Sequence, residues 1–372
     1  MMKIEPFKLE RYFAEYEFKA RYLLSPSDCE SLSLAELLGL ADAESLRLWE
    51  QLALGYTETA GHPLLREEIA GLYPGVGAEG VMVAAPEEAI FIAMQTLLKP
   101  GEHAVALFPA YQSLYAIAEA LGCRVTRLPL ELGSAGWRLD LDRLADSLSA
   151  RTRLLVINFP HNPTGYLPSR QELEAILDLA RPRGIVVFSD EMYRLLEYDP
   201  QDTLPPVCSI YERGVSLSGL SKTYALPGLR LGWLATQELG LLKDWLALKD
   251  YTTICNSAPS EMLGIMALRA KETIARRSLE IILGNLQHAA AFFAEHPRRF
   301  DWIKPRAGSV AYPRWLGERP VEAFCQELLE QKGVLAVPGS LFNDPGQHFR
   351  LGLGRRNLPE VLDQVDSYLS GK

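Results

Sequence analysis

The stretch that decides the fold is "RLLVINFPHNPTGYLPSRQELEAILDLARPRGIVVFSDEMY", which runs from residue 153 to residue 193. It contains two continuously apolar runs, 153–158 and 184–189, with an amphipathic segment between them. Ser169 and Glu172 have the spacing of a capping box, so they predict a helix that starts there and ends at the glycine before the second run. Apolar strands that flank a helix are typical of a parallel sheet buried on both faces.

The same alternation of strand and helix patterns continues along the chain. Further strand-like runs occupy 81–84, 103–108, 123–128, 214–218 and 230–235. After about residue 257 the pattern changes to one or two long helices, followed by short strands around helices. We therefore predict an α/β fold, in which a large domain has a mainly parallel, roughly seven-stranded sheet covered by helices, and a smaller α+β domain is built from both chain ends. The predicted divisions are 1–45, 46–280 and 281–372.

Composition restricts the class of protein. The 372 residues carry a net charge of −9, which argues against a general nucleic-acid binder, because such a protein needs a basic face. The five cysteines are scattered and form no CxxC pair, so we expect free thiols in a reducing compartment and no metal site. The first twenty residues contain acids throughout, and no apolar run approaches the roughly 18 residues that span a bilayer. We expect a cytoplasmic protein with no nucleic-acid or membrane partner.

A single lysine stands among small residues in "SLSGLSKTYALPGLRLGW", 216–233. An amine in a tight loop forms a Schiff base with a carbonyl when its neutral form is accessible. Gly219 and Ser221 beside Lys222 leave room for a planar group. Arg230 follows a Leu-Pro-Gly turn, and its fork of donors suits a phosphate. An imine-forming lysine and a phosphate-binding arginine are what pyridoxal phosphate requires of a protein.

Other polar and aromatic residues follow predicted strands, where the ligand sites of parallel α/β sheets gather. Asp190 could keep a pyridine nitrogen protonated, which makes the ring an electron sink, and Tyr193 could bind the ring oxygen. Asn162 could reach the ring oxygen or a substrate carboxylate, and Tyr111 could stack on the ring. Each residue taken alone has an ordinary structural explanation, such as a helix N-cap for Asp190.

Taken together, these motifs resemble the fold-type I pyridoxal-phosphate enzymes, and specifically the class I/II aminotransferases. The resemblance extends from about Tyr56 to Gly354 and keeps the order of the family's motifs. It implies that Lys222 is the aldimine lysine and proton shuttle, and that Asp190 pairs with the pyridine nitrogen. It further implies that cofactor contacts come from Tyr193, Asn162, Tyr111 and Arg230.

The resemblance also implies roles for two further residues, whose sequence surroundings alone do not indicate a function. Tyr56 matches the tyrosine that reaches the phosphate of the neighbouring subunit, so we expect a homodimer with shared active sites. Arg350 in "HFRLGLG" matches the arginine that binds the substrate α-carboxylate, together with Asn162.

The chain departs from the family's pattern at the phosphate site. Gly219 stands where the family often has a serine, and Ser218 or Ser221 is expected to compensate. The usual Gly/Ser-rich loop is replaced by Ala85, Pro86 and Glu87, which bring one residue without an N–H and one negative charge. Ala85 and Glu87 are still assigned to the cofactor site, because a helix N-terminus binds phosphate through its remaining amides.

The function implied is a transaminase that moves an amino group between an α-amino acid and a 2-oxo acid. Some stretches also resemble capreomycidine-synthase-like members, which use the same residues for elimination and ring closure; these stretches are 110–114, 158–163, 248–253 and 337–342. Elimination or cyclisation of an amino acid is therefore the alternative. A dinucleotide-binding oxidoreductase is disfavoured, because no G-x-G-x-x-G follows the first predicted strand.

Overall fold

The computed structural model describes residues 3–133 and 136–371. Its α-helices, in chain order, are α1 Lys8–Tyr16, α2 Leu34–Leu40, α3 Ala43–Glu50, α4 Pro63–Ala70, α5 Pro86–Leu97, α6 Ser113–Ala120, α7 Leu141–Ser147, α8 Arg170–Ala180, α9 Val207–Ile210, α10 Leu239–Lys249, α11 Ala258–Arg269, α12 Lys271–Glu295, α13 Val321–Lys332 and α14 Leu358–Leu369.

The strands are short outside the central sheet. They are β1 Tyr22–Leu23, β2 Val81–Ala84, β3 His103–Phe108, β4 Arg124–Pro129, β5 Glu131–Gly133, β6 Gly136–Arg138, β7 Thr152–Asn158, β8 Val186–Asp190, β9 Gly214–Gly219, β10 Gly232–Thr236, β11 Phe300–Asp301, β12 Val310–Ala311, β13 Arg314–Trp315, β14 Val334–Leu335, β15 Val337–Pro338 and β16 Phe349–Gly352.

The central sheet has seven strands in the order β2-β10-β9-β8-β7-β3-β4. Strands β4, β3, β7, β8 and β9 are parallel, and β10 is antiparallel to both of its neighbours. Each of the seven predicted runs forms one of these strands, so the predicted fold class is confirmed. Strand β10 begins two residues later than predicted, because Arg230 has a left-handed backbone with φ 52° and ends a turn.

The helix predicted between the two apolar runs is α8, and its capping box is present. Ser169 Oγ accepts from the Glu172 N–H at 3.2 Å, and the Glu172 carboxylate accepts from the Ser169 N–H at 2.7 Å. Gly184 has φ 58° and ends the 3₁₀ turn that continues the helix. Glycine adopts this conformation without steric cost, so the chain turns back into β8 at that position.

Helices pack on both faces of the sheet. One core joins β3 and β8 to α5, α6 and α10, and the fully buried Trp245 is part of it. A second core lies under α7 and α8, and a third lies under α4 and α11. Because both faces are covered, the strands other than β4 hold apolar side chains on each side, which explains their continuous rather than alternating pattern. The edge strand β4 is only partly buried.

The C-terminal residues form a separate core that includes Tyr22, Leu24 and Cys29 from the N-terminal segment. Strand β1 pairs with β14, which joins the two chain ends directly. This shared core supports the proposed small domain made from both ends. Helix α12 runs without a break through the boundary predicted at residue 280, so that boundary stays a prediction.

Across residues 3–133 and 136–371, no helix combines the length and the apolar character that crossing a membrane requires.

Candidate active site

A cavity of about 530 Å³ opens at the carboxyl ends of β8 and β9. It brings together most of the residues that the sequence singles out, namely Glu87, Tyr111, Asn162, Asp190, Tyr193, Ser221, Lys222, Arg230 and Arg350. Ala85 and Tyr56 do not line it. Ala85 is the residue before α5, and Tyr56 is 93% exposed. Polar groups that converge on one cavity at this edge of a parallel sheet are the arrangement expected of a ligand site.

Lys222 lies three residues after β9, and its ammonium group points toward the N-terminal segment. Nζ donates a hydrogen bond to Ser27 Oγ at 2.7 Å. Burial lowers the pKa of Lys222, and the nearby positive charge of Arg350 lowers it further, while Asp28 acts in the opposite direction. A lowered pKa increases the fraction of neutral amine, which is the nucleophilic form.

Asp190 is the last residue of β8 and is buried at the bottom of the cavity. Oδ1 accepts from the Met192 N–H at 3.1 Å, and the backbone carbonyl accepts from Asn158 Nδ2 at 2.9 Å. Burial raises the pKa of Asp190 to about 6, although the hydrogen bond from Met192 and the charge of Lys222 oppose the rise. A carboxylate in this setting gains most from a ligand that brings a positive charge.

Asn158 positions the loop that carries Asn162. Its Nδ2 donates a hydrogen bond to the Asp190 carbonyl at the end of β8, and its Oδ1 accepts one from the Asn162 N–H at 2.8 Å. The Asn162 amide therefore faces the cavity from a fixed backbone. Sequence reasoning missed Asn158, because a polar residue at the end of an apolar strand carries no motif of its own.

Arg350 is on β16 and is only 1% exposed. Nε donates to the Ser25 carbonyl at 3.0 Å, and Nη1 donates to Asn162 Oδ1 at 3.3 Å. Within the described parts of the chain, Nη2 has no hydrogen-bond partner. A buried guanidinium with an unused donor that faces a cavity is poised to bind a carboxylate.

The part of the cavity wall formed by Ser221 and Arg230 combines a buried and an exposed group. Arg230 is exposed and is held by its left-handed backbone, while its Nη1 donates to the Pro227 carbonyl at 3.2 Å. The Ser221 hydroxyl is buried and lacks a hydrogen-bond partner among the described residues. A cation and an unpaired hydroxyl on one wall suit an anion.

Glu87 lies in the first turn of α5 and reaches the cavity. It accepts from Ser113 Oγ at 3.2 Å. Burial raises the pKa of Glu87 to about 7, and the negative charges of Glu10 and Asp190 add to the rise. A large fraction of Glu87 is therefore neutral near pH 7, which weakens its repulsion of an anion at the helix N-terminus.

The two departures from the family's pattern touch one another. A Cβ at Gly219 would lie 3.2 Å from Cγ of Pro86 and 3.0 Å from Cα of Gly232. These distances are tighter than ordinary packing, and the backbone neighbour cannot swing away as the end of a flexible side chain could. The Pro86 ring and the backbone of residues 231–232 thus both crowd the space that a serine side chain at position 219 would need.

The N-terminal segment covers the cavity, which the sequence did not predict. Phe7, Glu10, Arg11 and Phe13 of α1 and its approach line the wall beside Tyr111. The Tyr111 hydroxyl donates to Glu10 Oε1 at 2.8 Å, and its ring packs on Phe7 with centroids 4.9 Å apart. No motif marks these residues, because their role depends on contacts across about a hundred positions of sequence.

Comparison with known proteins identifies the family of this chain. The family description "Aminotransferase class I and II" matches residues 36–364. Capreomycidine synthase of Streptomyces vinaceus is 30% identical over 98% of this chain and 95% of its own. A PLP-dependent aminotransferase from Streptococcus suis superposes with a TM-score of 0.93 at 30% identity, covering 100% and 99% of the two chains. The PLP-dependent cyclase OrfR superposes with a TM-score of 0.91 at 29% identity, covering 99% and 98%.

The polar and charged groups on the cavity wall fit pyridoxal 5'-phosphate. Three buried polar atoms on its wall have no partner within residues 3–133 and 136–371, and these are Tyr193 Oη, Ser221 Oγ and Arg350 Nη2. A buried polar group without a partner is costly, so these atoms imply a polar ligand. A pyridine nitrogen would meet Asp190, a phosphate would meet Arg230, and an aldehyde would meet Lys222.

Proposed function

Since the chain belongs to the class I and II aminotransferase family, we propose that it is a transaminase that moves an amino group between an α-amino acid and a 2-oxo acid. Its cofactor is pyridoxal 5'-phosphate. The observation that carries the proposal is the convergence of Lys222, Asp190 and Arg350 on one cavity.

Each residue that would hold the cofactor can be assigned to one chemical group of the cofactor. Lys222 would bind its aldehyde carbon, and Asp190 would accept the hydrogen bond of its ring nitrogen. The Tyr193 hydroxyl and the Asn162 amide would bind the ring oxygen, and Tyr111 would flank the ring. The phosphate would be bound by Ser221, Arg230 and the free amides at the start of α5, which are those of Glu87 and Glu88 but not of Pro86, with Ala85 at the helix boundary.

Lys222 is the residue that would move protons. When bound, the cofactor supplies an electron sink for the charge left after a proton leaves the α-carbon. The neutral Lys222 amine takes that proton on Nζ, and its lowered pKa makes this form available. The hydrogen bond to Ser27 Oγ holds Nζ when it is charged.

Arg350 would fix the substrate by its α-carboxylate. Its Nε and Nη1 are already bonded within the protein, so the guanidinium plane is set before the substrate arrives. The unused Nη2 and the Asn162 side chain then face the carboxylate. A preset fork contributes orientation as well as charge, because less side-chain freedom is lost on binding.

A second candidate is elimination or cyclisation of an amino acid. It is supported by the 30% identity to capreomycidine synthase over nearly the whole chain and by the likeness to the cyclase OrfR. Both chemistries begin with removal of the α-proton, so the same residues serve both.

Reaction of the purified holoenzyme with single amino acids and no 2-oxo acid separates the two candidates. For transfer, we expect the absorbance of the amine form of the cofactor to appear, with about one 2-oxo acid released per site, and turnover only after a 2-oxo acid is added. Loss of a β-substituent with the aldehyde form retained would instead support elimination or cyclisation. If no amino acid causes either change, the proposed function is wrong.

We propose that the functional unit is a homodimer. Exposed apolar side chains cluster on two adjoining segments, with Leu54 at 84%, Tyr56 at 93% and Tyr251 at 88% exposure. The segments meet where Thr57 Oγ1 donates to the Asn256 carbonyl at 3.5 Å. A second copy of this chain would cover the cluster and let Tyr56 reach the phosphate of its partner, as the family resemblance implies.

Sedimentation of the holoenzyme checks this state. We expect the wild type to sediment with twice the chain mass of 41.5 kDa. The double variant Leu54→Ser/Tyr251→Ser should form a weaker dimer, which dissociates at a higher protein concentration than the wild type does. Phe18→Ser is the matched control, since Phe18 is equally exposed but lies at the end of α1. A monomeric wild type at micromolar concentration would contradict the dimer.

We further propose a cytoplasmic location. The five cysteines are free thiols and four of them are buried, which suits a reducing compartment.

A further inference from the structure

Two charged residues of the cavity are left over once the cofactor and the α-carboxylate have their partners. They are Glu10 and Arg11 on α1. Neither belongs to a motif of the family, and both line the same cavity as Arg350 and Tyr111. The side chain of the substrate must occupy space near them, so they bear on which amino acid binds.

Glu10 is fixed in place. Its Oε1 accepts the hydrogen bond from the Tyr111 hydroxyl at 2.8 Å, and its side chain lines the cavity. The Glu10 carboxylate is close enough to Lys222 and Arg350 to act on the charge of both. A half-buried carboxylate on the wall of a cavity favours a cation in that cavity.

The surroundings of Glu10 also suit a cation. The Phe7 and Phe13 rings line the cavity on either side of it along α1, and the Arg350 guanidinium already lies 5.8 Å from the Phe13 ring centroid. Aromatic faces attract guanidinium and ammonium groups. The buried, unpaired Nη2 of Arg350 lines the same cavity and provides its anion site.

Arg11 is placed less favourably to select a substrate. Its side chain is exposed, and its backbone N–H donates to the Phe7 carbonyl at the start of α1. An exposed arginine keeps its water and its rotamer freedom, so it contributes less to selection than the anchored carboxylate beside it.

We propose that the cavity takes an α-amino acid whose side chain carries a guanidinium or ammonium group, and that the Glu10 carboxylate pairs with it. The inference rests on the proposed function, because Arg350 must fix the α-carboxylate for the side chain to point toward Glu10. Glu10 is thereby a specificity-determining residue of the reaction.

Calorimetric titration of the holoenzyme with two matched unreactive ligands tests the proposal. The ligand 5-guanidinopentanoate has a carboxylate and a guanidinium, and 5-ureidopentanoate has the same shape without the charge. We expect the guanidino ligand to bind at least about tenfold more tightly, as for a charge-assisted hydrogen bond in place of a neutral one. Glu10→Gln should remove most of this preference and leave the affinity for the ureido ligand within about threefold.

Glu15→Gln is the matched control, because Glu15 is an exposed glutamate of the same helix that does not line the cavity. It should leave both affinities unchanged. The ureido ligand also reports whether the Glu10→Gln site is intact.

Equal affinity of the wild type for both ligands would overturn the proposal. So would tighter binding of hexanedioate that is lost in Arg11→Gln, since that result would assign the site to an acidic side chain. Neither ligand has an α-amino group, so these results stand whether or not the enzyme transfers one. Failure of the proposed function is seen separately, in the reactions with amino acids.

Discussion

Lys222→Ala is expected to lower amino-group transfer by at least about a thousandfold, since it removes both the nucleophile and the proton carrier. The variant should also lose the covalent attachment of the cofactor. Borohydride treatment followed by mass measurement should fix the cofactor on Lys222 of the wild type and leave the variant unmodified. Gel filtration should release the cofactor from the variant more readily than from the wild type.

Lys243→Ala is the matched control, because Lys243 is an exposed lysine on α10 away from the cavity. It should retain wild-type activity and borohydride labelling. Lys222→Arg should be as inactive as the alanine variant, since a guanidinium keeps its proton and does not attack a carbonyl. Turnover by Lys222→Ala near the wild-type rate would exclude the proposed mechanism.

Asp190→Asn is expected to lower kcat by about 10²–10³-fold, the size of losing one preorganised electrostatic contact. An amide cannot keep a pyridine nitrogen protonated as a carboxylate does, while its shape and its bond to Met192 are preserved. Rapid-mixing measurement of α-proton removal should show the loss in that step. Asp244→Asn, on the exposed face of α10, should have no effect.

The same substitution should stabilise the cofactor-free protein. Burial raises the pKa of Asp190 from 3.8 to about 6, so the folded state holds this proton more tightly than the unfolded state. The free energy of unfolding therefore falls as pH rises from about 4 to about 6 and stays level above that, by up to about 3 kcal/mol from this group. Urea unfolding should show Asp190→Asn more stable than the wild type at about pH 7.5 and equal to it below about pH 4. A wild type that gains stability relative to the variant across this interval would contradict the expected pKa.

The sheet was predictable because most of its strands are buried on both faces and their sequence pattern is local. Asp190 and Asn162 could be expected near one another, since parallel strands bring their carboxyl ends to the same edge. Lys222 and Arg230 could be linked because they lie within one short loop. In each case the information is contained in a few neighbouring residues.

The position of the N-terminal segment over the cavity was not predictable, because it depends on residues far apart in the sequence. Ser27 and Glu10 are ordinary residues in a segment without motifs, and their partners Lys222 and Tyr111 are 195 and 101 positions away. Only the packing of α1 and the β1–β14 pair brings them to the site. Asn158 was missed for a related reason, because its hydrogen bond to the Asp190 carbonyl forms only after β7 and β8 pair.

The contact between Pro86 and position 219 links the two departures from the family's pattern. A serine at position 219 would press on the Pro86 ring and also on the backbone of Leu231 and Gly232, so replacing Pro86 alone would relieve only part of the crowding. The backbone at 231–232 would have to shift as well, and a recombinant of this chain with a relative should therefore inherit positions 86, 219 and 231–232 from the same parent.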